Sequence, residues 1–263
     1  MEKFKIAITG MGSNSAKNED ILRMFDEPAL AELCTPVICD TAEAEKEAAK
    51  ADATVIVPIA TPANCPAGAT EIIVTDTVRF MPLSKEPTAE DVVRFRDILE
   101  RDFDLRSPRI AIVQKTEVQS HDFANMVTQE HGINTYGPYS AEQIIADDKA
   151  RHFDGIICAD STNTIVRIIK ELSLEPSVRF FAGRESVVTA ACSPFNIDKE
   201  EGLADISALT HPIYTAIDVI RNRAFFDEAL QNPLPKLYRD KREDRRREDA
   251  PQANTNNDNT EKA

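Results

Sequence analysis

The feature that most limits how this chain can fold is an alternation. Short β-rich runs at residues 3–9 (KFKIAIT) and 109–113 (RIAIV), and apolar runs at 53–59 (ATVIVPI) and 155–159 (GIICA), are separated by stretches whose apolar residues recur at helical spacing. Runs of this kind, rich in Ile and Val, read as strands buried on both faces. Strands that alternate with helices predict an α/β protein with a three-layer α/β/α arrangement and a mainly parallel sheet. The clearest helix starts at Thr88. Thr88, Glu90 and Asp91 suit a helix N-terminus, and Val92, Val93, Phe95, Ile98, Leu99 and Phe103 make its apolar stripe. Further helices are expected over 17–25, 29–33, 41–51, 120–131, 141–148, 164–174 and 209–229. Further strands are expected over 35–39, 70–75, 178–181 and 186–191. Tyr136-Gly137-Pro138-Tyr139 reads as a loop.

Residues 1–235 are expected to form one α/β domain, which can comprise two lobes around a shared sheet. The 42% of hydrophobic residues in the 263-residue chain suffices for a sizeable core. Composition changes after Pro235. Residues 236–263 hold mixed charge and then an Asn/Thr-rich end, with almost no apolar side chains. Such a segment buries too little surface to offset the entropy of ordering, so a disordered, solvated C-terminal tail is expected. Its Arg245-Arg246-Arg247 run is interleaved with Asp and Glu.

A net charge of −14 argues against nucleic-acid binding and against an anionic membrane surface. No apolar run reaches the roughly 20 residues of a membrane span. The start, MEKFKIAITG, enters a strand with no signal-like core before it. The five cysteines, Cys34, Cys39, Cys65, Cys158 and Cys192, are scattered, and no CxxC occurs. A reduced, cytoplasmic protein is expected, with its thiols acting as small hydrophobes.

Chemistry is expected where residues 155–159 run into the polar turn Asp160-Ser161-Thr162-Asn163, because ligands of parallel α/β sheets sit at the carboxyl ends of strands. Other candidates are weaker. Gly10-Met11-Gly12 between a strand and a helix, with Asp40 after the next strand, superficially matches a dinucleotide fingerprint. Ser15 stands at the third glycine position, and the spacing to Asp40 is long. His121, His131, His152 and His211 lack metal-ligand spacing, which favours surface or capping roles. Ser161 and Ser193 lie in turns without a GxSxG elbow. Cys158 and Cys192 read as packed thiols. Arg79, Lys85, Arg179 and Arg184 form a basic set that could bind a phosphate or carboxylate or stand as solvated rim residues.

The order of these segments adds a family. IAITGMGSNSAKNEDIL, DATVIVPI, the GATE of residues 68–71, MPL followed by a long helix and LRSP, Gly137-Pro138, residues 154–163 and the GLAD of residues 202–205 occur in the same order as comparable motifs elsewhere. Together they resemble the 4-hydroxythreonine-4-phosphate dehydrogenase family of pyridoxal phosphate biosynthesis. That resemblance spans most of residues 4–222 in a shortened, divergent form. It implies an isocitrate/isopropylmalate-dehydrogenase-like fold, a homodimer, and NAD-dependent oxidation of an alcohol followed by loss of carbon dioxide. It also implies a divalent metal, held by histidines from both subunits, that would polarise the oxygen.

Carried over by motif, the family's ligand positions fall on Phe80, on Ser161 and near Ser193 or Pro194. Thr162 and Asn163 replace the residues after the second of these. Ala69 replaces a phosphate-binding histidine, while Thr70 keeps its family identity as a substrate-binding residue. Ala60-Thr61, residues 116–120 and Leu203 replace further family motifs. No histidine stands at any of the three positions, so a divalent metal is not expected, although Asp160 remains a carboxylate able to meet Mg²⁺ through water. The expected function is that of a degenerate, catalytically impaired homologue, a pseudoenzyme that keeps NAD only by resemblance. The alternatives are an enzyme of altered chemistry on a phosphorylated small molecule, or a non-catalytic interaction or regulatory protein.

Overall fold

The computed structural model describes residues 3–9, 22–39, 50–57, 62–114, 122–160, 162–174, 178–192 and 209–232. Two units divide the chain at residue 227. The first, residues 1–226, contains the sheet. The described part of the second, residues 227–232, is the final turn of a helix and the residue after it. The expected dinucleotide stretch 10–15, Asp40, the helix over 41–51 and the tail 236–263 lie outside the described residues.

In chain order the elements are β1 (Phe4–Thr9), α1 (Pro28–Leu33), β2 (Cys34–Cys39), β3 (Ala53–Ile56), β4 (Thr70–Val74), β5 (Arg79–Pro82), α2 (Ala89–Phe103), β6 (Ile110–Val113), α3 (Asp122–His131), β7 (Thr135–Tyr139), α4 (Ala141–Ile145), a 3₁₀ segment (Ala146–His152), β8 (Gly155–Cys158), α5 (Thr162–Glu171), β9 (Val178–Ala182), β10 (Val187–Ala191) and α6 (Thr210–Gln231). The strands form one ten-stranded sheet in the order β2-β1-β3-β10-β9-β4-β5-β8-β6-β7. The expected α/β class with a mainly parallel sheet is what the chain adopts.

The direction of the strands matters for function. β2, β1, β3 and β10 run parallel to one another, and so do β5, β8, β6 and β7. Antiparallel pairing of β10 with β9, β9 with β4, and β4 with β5 reverses the chain three times between the blocks. The two blocks therefore point in opposite directions, and their carboxyl ends emerge at opposite edges of the sheet. We term these the β8 edge and the β10 edge.

Alternation along each strand sorts the core. Ile110, Ile112, Ile157, Met81 and Phe180 face one side, where they pack with Phe95 and Leu99 of α2, Val127 of α3 and Ile213 and Ile217 of α6. Ala111, Val113, Ile156, Cys158 and Phe80 face the other side, under Ile144 of α4 and Ile165 and Ile168 of α5. The period of two along strands buried on both faces produces this split.

α2 forms as expected and is closed by a capping box. The Asp91 amide donates to Thr88 Oγ1 at 3.3 Å, and the Thr88 amide donates to Asp91 Oδ2 at 3.0 Å. Its buried stripe presses on β8 so closely that a Cβ at Gly155 would lie 2.6 Å from Phe95 Cε1 and 2.8 Å from Leu99 Cδ1. Glycine is thus required at the start of the strand that leads to the candidate turn.

One expectation needs correction. Tyr136-Gly137-Pro138-Tyr139 is not a loop but most of β7. Gly and Pro are disfavoured in strand interiors yet accepted on an edge or at a bulge, and β7 meets both conditions. It is the last strand of the sheet, and its register with β6 shifts between Ala111 and Val113. At Gly137, φ is +112° and a Cβ would meet Ile112 O at 2.7 Å, so a side chain is excluded there.

Candidate functional site

The turn after β8 is built from a strand with no exposed residue and a helix with one apolar face. All four residues of β8 are buried, and Thr164, Ile165 and Ile168 are the buried residues of α5. This packing holds the turn at the β8 edge. Half-buried Asp160 accepts a hydrogen bond from Thr164 Oγ1 at 2.6 Å. A carboxylate just before a helix also faces the positive end of the helix dipole. Thr162 and Asn163 are exposed on the first turn of α5, and Ser161 lies outside the described residues.

Topology brings Thr70 to the same edge. Thr70 opens β4 opposite Ala182, the last residue of β9. β5 lies between β4 and β8, so the two flanking strands are about 9–10 Å apart at the usual inter-strand spacing. The carboxyl end of β6 lies there too, since Val113 pairs with Cys158, and it leads toward residues 116–120. The β8 edge thus gathers the hydroxyl of Thr70, the carboxylate of Asp160 and the amide of Asn163, consistent with the position of ligand sites in α/β sheets.

The other inferred positions behave differently. Phe80 is fully buried, pairs with Ile156 across β5 and β8, and packs in the core beneath α5. Ser193 and Pro194 lie outside the described residues. A phenyl ring has no donor for a metal, so the side chain at the Phe80 position does not fit the divalent ion that the resemblance implies. Among the described residues, no group of three or more His, Cys, Asp or Glu side chains could hold a metal ion.

The histidines are dispersed. His131 is exposed at the end of α3, His152 is exposed before β8, and His211 is exposed on α6. His121 lies outside the described residues. Cys158 is buried within β8 and Cys192 is half-buried just after β10.

The basic set divides by partner. Arg179 donates from Nε to Glu71 Oε1 at 2.5 Å and from Nη1 to the Ala63 carbonyl, joining β9 to β4 and to the loop before it. Lys85 is an exposed partner of Asp91 at 3.8 Å, and Arg184 is exposed. Arg79 opens β5 at the β10 edge, with its guanidinium carbon 5.1 Å from the centre of the Phe103 ring. Burial lowers its pKa, against the opposing pull of Asp154 and Asp76.

Arg79 lines an open cavity of about 410 Å³ together with Asp76, Tyr214, Thr215, Asp218 and Asn222. Sequence reading did not single out these α6 residues. Their signal was present in the spacing of polar residues at positions 211, 215, 218 and 222, which recur on one face of a mostly apolar helix.

No family model matches the chain. The family resemblance is nonetheless borne out by a curated 4-hydroxythreonine-4-phosphate dehydrogenase of Bacteroides thetaiotaomicron. It is 32% identical over 177 residues, which cover 62% of this chain and 48% of that protein. The chain thus spans about half the length of the curated relative it matches. Solved structures agree on the fold. A putative 4-hydroxythreonine-4-phosphate dehydrogenase from Salmonella typhimurium is similar with a TM-score of 0.60 at 13% identity, covering 83% of this chain and all of that one at 100%. A 4-hydroxythreonine-4-phosphate dehydrogenase from Burkholderia phymatum gives 0.52 at 14%, covering 82% and 99%. Isocitrate dehydrogenase from Methylococcus capsulatus gives 0.53 at 10%, covering 85% and 87%. The isocitrate-dehydrogenase-like fold is therefore shown.

Proposed function

We propose that this chain is a divergent relative of the 4-hydroxythreonine-4-phosphate dehydrogenases that does not perform metal-assisted oxidative decarboxylation, and that it acts instead as a binder of a small phosphorylated molecule. The observation that carries the reading is Phe80. A fully buried phenyl ring, packed with Ile156, Ile165 and Ile168, occupies a position where the resemblance requires a metal-binding imidazole. Restoring a ligand there would place a polar ring in an apolar layer, at an expected cost of about 1–3 kcal/mol if its nitrogens stayed unpaired.

The remaining groups suit binding better than Lewis-acid chemistry. The Thr70 hydroxyl and the Asn163 amide are donors at the β8 edge, and the N-terminus of α5 favours negative charge. Asp160, braced by Thr164, is a carboxylate able to accept from a ligand hydroxyl. NAD is the cofactor that the family resemblance implies. A homodimer and a cytoplasmic location belong to the same proposal. No helix among the described residues is long and apolar enough to cross a membrane.

Metal titration by calorimetry on the full chain, with Zn²⁺, Mn²⁺ and Mg²⁺ in turn, tests the reading. No stoichiometric binding is expected. Tight binding of an ion, lost on replacing Asp160 by Asn, would overturn it.

A further inference from the structure

The cavity at the β10 edge lies away from the β8 edge and is independent of the function proposed above. Three arginines with little solvent exposure allow a comparison. Arg223 donates to both carboxylate oxygens of Asp102, at 2.7 and 3.3 Å, and to the carbonyls of Arg184 and Glu185 at 3.1 and 3.0 Å. Arg179 is held by Glu71 and Ala63. The Arg79 side chain, by contrast, donates one hydrogen bond among the described residues, from Nη1 to the Thr77 carbonyl at 3.2 Å. Its Nε is enclosed without a partner.

The acids that act on Arg79 from a distance are already engaged. Asp154 accepts from the backbone and side chain of Arg109 at 2.8 and 3.3 Å, and Asp76 lies 3.8 Å from Arg151. Arg79 makes no ion pair among the described residues. A desolvated guanidinium whose donors are mostly unused favours an incoming anion.

Asp218, on α6, is the complementary group. It lines the same cavity and makes no hydrogen bond or ion pair among the described residues. Its side chain is exposed overall, and partial desolvation pushes its carboxyl up, opposed by Arg221. A cation placed beside it would favour the ionised form.

One cavity therefore presents an underused cation and an underused carboxylate that do not pair with each other. Phosphate suits it poorly, because its charge would sit among Asp218 and Asp76. A molecule carrying one negative and one positive group suits both ends. The volume of about 410 Å³ falls within the range of about 300–1,000 Å³ usual for small-molecule pockets. Phe103 and Val219 supply apolar wall, and Tyr214 and Thr215 supply hydroxyls.

We propose that this cavity binds a small ammonium carboxylate of the free amino acid class, with its carboxylate on Arg79 and its ammonium on Asp218. The test uses the full chain in thermal-shift and calorimetric titrations with each common L-α-amino acid. Lactate, ethylamine and inorganic phosphate serve as probes carrying only one kind of charge. At least one amino acid should raise the melting temperature and bind at one site, and the three single-charge probes should not. Arg79→Gln and Asp218→Asn should each weaken that binding by about tenfold or more, the effect of one lost charge-assisted contact. If Arg79→Gln does not fold, Asp218→Asn decides, because Asp218 is an exposed position of α6. No response to any amino acid, equal binding of lactate or phosphate, or unchanged affinity in Asp218→Asn would overturn the proposal.

Discussion

At the β8 edge Asp160 is braced by Thr164, and within β5 Phe80, where the family resemblance places a metal ligand, is closed into the core. At the β10 edge, Arg79 holds one side-chain hydrogen bond, while Arg223 of α6 holds bonds to Asp102 and to the carbonyls of Arg184 and Glu185. The β8 edge keeps a scaffold, while the position within β5 has become packing. The β10 edge holds a charged group that packing alone does not explain. The contrast shows that a strand end marks where a site can be, whereas the partners of its side chains decide whether a site remains.

The largest expected effect concerns the saturated arginine. Arg223→Met leaves Asp102 buried without its cation, and urea unfolding should show a loss of about 3–5 kcal/mol. A loss no greater than that of Arg79→Met would erase the distinction between the two arginines.

Gly155→Ala should cost about 1–3 kcal/mol by forcing Phe95 and Leu99 away from β8. Unchanged stability would mean that α2 does not clamp the strand leading to the Asp160 turn.

Thr88→Ala, which removes the side-chain cap of α2, should cost about 1 kcal/mol. Its partner Asp91 adds a pH signature. Burial pushes the Asp91 carboxyl up, but the Thr88 amide and hydroxyl, with Lys85 and Arg94, hold it below its ordinary value. A lowered folded pKa means that the stabilisation is present above the unfolded value of about 3.9 and is lost as pH falls through the folded one. Asp91→Asn should therefore weaken the dependence of stability on pH below about 4.

The smallest effect belongs to Arg79→Met, which should change stability by less than about 1 kcal/mol in either direction, because it removes a desolvated charge with no ion-pair partner among the described residues. A loss as large as that of Arg223→Met would make Arg79 structural.

Periodicity and turn chemistry made much of the fold legible. The α2 stripe with its Thr88 cap, the apolar β8 run and the amphipathic α5 are local patterns, and local rules suffice for them. Gly137 and Pro138 misled because their tolerance in β7 depends on its being an edge strand, which is a property of the whole sheet. The reversal of direction through β9 and β4 is equally non-local, and it governs which strand ends share an edge. For the site, Asp160 was legible as the residue after a buried strand, whereas Thr70 was reached only through the family resemblance. Arg79 was legible only as one member of a basic set, because what separates it from Arg179 is the absence of a Glu71 beside it.

The most direct measurement is NADH formation by the purified full chain supplied with NAD, 4-hydroxythreonine-4-phosphate and a divalent metal. The account predicts absorbance no greater than in a protein-free blank. Metal-dependent NADH formation that scales with protein concentration would contradict it.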